Sequence, residues 1–147
     1  KYISTTEVTD NTLNNLFSDI TGAENAASQV DYRCIFVHNS HASLTAVNTV
    51  AYVSAEVAGG ATISIAKDAS GTFSVNAISN QALTVASTTT APAGLSFSAP
   101  VTATSGISLG NIQAGYCQAL WVKRSIAGTQ SPVANDGYTL GISFDTL

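Results

Sequence analysis

His38 and His41 are the chain's only histidines, and they stand three residues apart at the end of an apolar run. With a third ligand they would suit a divalent metal, which takes three or four protein ligands. The surrounding sequence NSHAS supplies no third ligand, and its composition predicts a solvated turn. Serine hydrolysis on an α/β scaffold needs the elbow G-x-S-x-G, and phosphate binding by a Gly-rich loop needs GxxxxGK[ST]; neither occurs. Paired carboxylates for glycoside cleavage must lie roughly 5 to 9.5 Å apart. Asp68 and Asp136 fall in turn-like sequence and Glu56 ends an apolar run, and none is flanked by aromatics that would stack on a sugar. The expectation is a protein that is not an enzyme, with no catalytic residue, no cofactor and no metal site.

Recognition is a different chemistry, and its candidates lie in two places. Cys117 to Ile126 holds the only tryptophan, Trp121, beside the only adjacent cations, Lys123 and Arg124. Trp and Arg are enriched at interface hot spots. The alternative is that Trp121 belongs to the core and the two cations mark where the strand emerges, because alternate residues of a strand face opposite sides. The second place is TDNTLNNLFSDITG, where Leu13, Leu16, Phe17 and Ile20 recur at helical spacing. This predicts a short amphipathic helix over Thr9 to Gly22, started by Thr9 or Asp10 and ended by Gly22. It would lay its apolar face on the rest of the chain or on a neighbouring subunit. Asn and Thr are poor helix formers, so an extended arm is the alternative.

The elements that must position these residues are strands. Tyr32, Cys34 and Phe36 alternate with Arg33, Ile35 and Val37, which predicts a central strand with two apolar faces. Val47 to Val57 and Thr62 to Lys67 follow, with Ile63 and Ile65 inward. Asp68 to Gly71, DASG, has the composition of a turn. Phe73 to Val75 and Gln81 to Ala86 predict two short strands, and Ser87 to Gly94 a loop. Ile107 to Leu109 leads through a turn shaped by Gly110 and Gly115 into Cys117 to Ile126, a hairpin. Tyr138, Leu140, Ile142 and Phe144 predict a last strand with one buried face. Eight or nine strands and at most one helix describe an all-β, antiparallel β-sandwich, immunoglobulin-like or jelly-roll-like. Residues 1–29 would form the arm or short helix and 30–147 the sandwich.

Composition bounds the partners. With five Lys and Arg against nine Asp and Glu, the chain cannot build the basic face that neutralises phosphates, so no nucleic acid is expected. No apolar run is long enough for a membrane-spanning helix, and the opening KYISTTEV lacks the basic and apolar blocks of a secretory signal. Charged residues are 10% of the chain and apolar ones 45%, which leaves a surface suited to cover by other subunits. Cys34 and Cys117 are expected as buried free thiols, in keeping with assembly in a reducing cytoplasm; a disulfide across the core, if their strands face each other, is the alternative.

Three stretches together resemble a family: DYRCIFVHNSHASLTAVNTVAYVSAE, then TTTAPAGLSFSAPVTATSGISLGNIQAGYCQALWVKRSI, then NDGYTLGISFDT. A YRCIFV-like strand, an APAG-x-x-FSAP segment, an LG-x-I-x-AG turn and a W-V-x-R strand in this order resemble small virion proteins of tailed bacteriophages, over nearly the whole chain from Asp31. The resemblance implies a β-sandwich structural protein with no catalytic residues, part of a virion assembled in the host cytoplasm. The expected role is capsid decoration, or cement, bound to the major capsid protein or other virion subunits as a homo-oligomer. The alternatives are a tail, neck or baseplate component and, from the fold alone, a carbohydrate-binding or adhesion module.

Overall fold

A computed structural model describes residues 1–147. After a short helix, α1 (Gly22–Ala26), come six strands: β1 (Val30–His38), β2 (Ala46–Glu56), β3 (Thr62–Ser74), β4 (Ile107–Ile112), β5 (Tyr116–Ser125) and β6 (Tyr138–Thr146). They form two three-stranded antiparallel sheets, β1-β5-β3 and β4-β2-β6, packed against each other. The chain is an all-β sandwich with one short helix. Consecutive strands always lie in opposite sheets, so every connection crosses the sandwich. That alternation departs from the hairpin links of the immunoglobulin arrangement.

The core lies between the sheets and is built from Ala51 and Val53 of β2, Ile63 and Ile65 of β3, Leu109 and Ile112 of β4, and Leu120 and Val122 of β5. β5 is the middle strand of its sheet and is buried on both faces. Its inner residues meet the other sheet. Its outer residues Cys117, Ala119 and Trp121 lie under the long irregular segment 75–102, where Ala82 and Gln81 are also buried. The same segment binds the β3 edge, with Ile65 N–H donating to Ser98 O (2.8 Å) and Ser98 N–H to Ile65 O (3.0 Å). At the β1 edge, Tyr32 N–H donates to Thr88 O (2.7 Å). β1 is apolar on both faces and half-buried along most of its length; it is an edge strand, not the central one its sequence predicts.

Four further expectations are corrected. Residues Thr9 to Gly22 are not a helix, because Asn11 and Asn14 take left-handed φ angles of 56° and 59°, which no helix interior admits. The helix begins only where Thr21 and Glu24 form a capping box: Thr21 N–H donates to Glu24 Oε2 (2.7 Å) and Glu24 N–H to Thr21 Oγ1 (3.2 Å). The DASG stretch is not a turn but a bulge inside β3, between the Lys67 and Thr72 pairings, with Gly71 at φ 81°. Phe73 thereby belongs to β3, and Gln81 to Ala86 form no strand. The turn before β5 makes no hairpin, since β4 and β5 lie in different sheets.

Candidate functional site

The two sheets leave a gap along the side where β1 and β6 face each other, and its two ends are treated differently. At one end Phe17 is buried in the gap. Its ring lies 4.8 Å from the Arg124 guanidinium and 5.4 Å from that of Arg33, with the Tyr138 ring 6.5 Å away. Cations over aromatic faces gain from the ring quadrupole, most where water is excluded. Arg124 also donates to Asp31 Oδ2 and to Ser18 O, both at 2.6 Å, so it ties the N-terminal segment to the sandwich. Burial pushes the Tyr138 hydroxyl up to about 12, against the opposing pull of Arg124. Leu16 packs against this core and Ile20 is half-buried beside it.

A broad hollow of about 1120 Å³ runs along the N-terminal segment, bordered by Leu16, Phe17, Arg124 and Tyr138, but at the other end of the gap no side chain takes the place of Phe17. Val37, Leu44, Ala46, Ile112, Ile142 and Phe144 line a cavity of about 570 Å³. Ile142 and Phe144 belong to the inward parity of β6, yet they are 36% and 52% exposed. The expected single buried face of β6 is therefore half realised: Tyr138 and Leu140 are covered, and the next two inward residues are bare. The sequence pattern assigns a side to each residue; it does not say whether anything stands opposite.

The rim of this cleft carries His38 and His41. His41 Nδ1 accepts the amide N–H groups of Ser43 (3.1 Å) and Leu44 (2.9 Å), which places its proton on Nε2. Its free nitrogen is spent on the turn, and no group of three His, Cys, Asp or Glu stands together. Polar recognition at the cleft falls to uncharged groups such as Thr49 and Thr146. No Lys or Arg lines it.

The residues singled out by sequence divide accordingly. Leu16, Phe17, Ile20 and Arg124 come together at the closed end, as internal structure. Leu13 is 67% exposed. Trp121 is fully buried, which removes it as an external contact. Its indole donates to Asp68 Oδ2 (2.7 Å), and that carboxylate also accepts Leu83 N–H (2.9 Å) and, on Oδ1, Ser70 N–H (2.8 Å). Burial opposes Asp68 ionisation, but the bonds from Ser70, Leu83 and Trp121 outweigh it and hold the carboxyl below its ordinary value. Lys1 Nζ lies 4.5 Å from the Trp121 ring centroid. Lys123 is half-buried on the same outer face. Cys34 and Cys117 are free thiols; burial pushes Cys34 up to about 12 and raises Cys117 as well, so both are poor nucleophiles.

These features define a small all-β sandwich in which exposed apolar residues of one strand end, Ile142 and Phe144, adjoin an apolar cleft. No helix is long and apolar enough to cross a membrane. No family model, curated protein or solved structure matches the chain.

Proposed function

We propose that the chain is a non-enzymatic structural protein of a bacteriophage virion, a decoration subunit that binds the major capsid protein and stabilises the head across subunit joints. The observation that carries this reading is the bare apolar end of the sandwich, where Ile142, Phe144 and Leu44 are exposed around an uncharged cleft. Apolar surface of this kind marks protein contacts, and the cores of interfaces are depleted in charge. The sparse charge of the whole chain and the virion-protein resemblance of its strand sequences support the same role. A glycan-binding module would use an exposed aromatic platform; Trp121 is not available for one.

Quantitative mass spectrometry of purified particles tests it. A copy number in fixed proportion to the capsomers is the expected result. A few copies per particle would move the protein to the tail, neck or baseplate, and its absence from particles would overturn the virion role.

A further inference from the structure

The sandwich has four sheet edges, and they are not equally guarded. β3 is bridged by Ser98 and β1 is bonded by Thr88. β4 is only six residues long, and β2 is irregular in register against both β4 and β6. β6 is nine residues long and pairs only with β2. Its first half lies beside the N-terminal segment, whereas Ile142 to Thr146 are exposed and no strand pairs with their outer edge. Edge strands are normally protected by Lys, Pro, bulges directed outward or a covering loop. The segment Ile142–Thr146 has no Lys and no Pro, and its single charge is Asp145.

We propose that the free edge of β6 pairs with β6 of a second copy of this chain, antiparallel about a two-fold axis, joining the two β4-β2-β6 sheets into one. Two observations suit a second copy, and a third suits pairing at this edge in general. An antiparallel strand pair is self-complementary, which is what a closed two-fold contact requires. The local charge permits it: with Ser143 facing its own copy on the axis, each Asp145 stands opposite a Gly141 and each Ile142 opposite a Phe144, and no like charges meet. The strand is also held in place before binding, because Thr45 N–H donates to Leu147 O (2.8 Å) and Leu147 N–H to Thr45 O (3.1 Å), so little is lost on ordering it. The cleft adds apolar contact on the inward side, where Phe144 and Leu44 of each copy approach the joint. An edge contact of this size falls at the small end of stable interfaces, so the pair dissociates on dilution.

This rests on reading the chain as an assembly subunit, and sedimentation velocity over a concentration series tests it separately from particle location. The full chain is expected to pass from monomer to dimer, with amide exchange at residues 142–146 slowing as the dimer forms. Ser143→Lys, which sets a cation at the edge, and Phe144→Asp should each weaken dimerisation at least tenfold while far-UV circular dichroism stays unchanged. Ile78→Asp, at a residue 97% exposed elsewhere, should leave it intact. If Phe144→Asp fails to fold, Ser143→Lys decides alone. A chain that stays monomeric at the highest soluble concentration, or an oligomer indifferent to Ser143→Lys, overturns the pairing. A dimer that is absent from particles upholds the pairing and overturns only the virion role.

Discussion

The two ends of the gap between β1 and β6 are built from the same kinds of strand, and they differ in what stands opposite the inward residues. At the closed end the N-terminal segment brings Phe17 between Arg33, Arg124 and Tyr138, and the Arg124–Asp31 pair locks it there. At the open end Val37, Ile142 and Phe144 face one another across an empty cleft. One sheet pair thus covers one stretch of its inward surface and leaves another bare. Where the chain supplies its own filler, polar groups can be buried in pairs. Where it does not, the inward residues stay exposed and no Lys or Arg stands among them.

The sharpest way to break the contrast is to remove Asp31. Arg124 would keep its charge in a buried site where its Nε already lacks a partner. Breaking a buried pair from one side costs about 3 to 5 kcal/mol, so Asp31→Asn should lower the urea midpoint by the equivalent amount. Replacing both partners with apolar residues, Asp31→Leu with Arg124→Met, should recover most of that loss. A single-variant cost below 1 kcal/mol would mean that the closed end is not sealed. Phe17→Ala comes next, at about 3 kcal/mol for a large buried ring. It should also expose residues 1–20 to limited proteolysis ahead of the sandwich.

Of the eight or nine strands expected from sequence, six form, and sequence alone stopped at their pairing. The apolar run of β5 reads on any inspection, since a strand buried on both faces needs apolar residues at both parities. The helical spacing of Leu13, Leu16, Phe17 and Ile20 did identify residues that bury together, but not their backbone. Asn11 and Asn14 take left-handed angles, and apolar spacing does not register that. Asp68 reads as a turn residue because its neighbours are small and polar. Its partners, Trp121 and Leu83, are far away in sequence, and only the folded sheet brings them to it. Likewise the crossing of every connection from sheet to sheet depends on pairings at long range, which local pattern does not encode. The cleft was the least legible feature, because Ile142 and Phe144 have the pattern of core residues.

Asp68 sets an intermediate scale, being buried and polar but fully partnered within the chain. Asp68→Asn keeps the shape and loses the charged acceptor for the Trp121 and Leu83 donors, for an expected loss of about 2 kcal/mol at neutral pH. The sign with pH follows from the depressed carboxyl. The native state holds the ionised form, so this stabilisation is complete above the unfolded value near pH 4 and is lost as pH falls through the lower folded value. Thermal melts should show the gap between wild type and Asp68→Asn narrowing below about pH 4. A gap that held steady or widened on acidification would mean that the carboxylate is not ionised where it sits.

The smallest effect belongs to the open end, and it is the one that decides whether the contrast is real. Phe144→Ser removes a ring as large as that of Phe17, here from the inward parity of β6 and not from the N-terminal segment. If the cleft is bare in the isolated chain, little packing is lost, and the change in stability stays within about 0.5 kcal/mol when measured at concentrations where the chain is monomeric. Two phenylalanines in one gap would then differ by about 2 to 3 kcal/mol for reasons of cover alone. A loss at Phe144 approaching that at Phe17 would mean that some segment of the chain closes over the cleft in solution. In that case the end of β6 would be core, not contact surface, and the uncharged rim would owe its composition to burial.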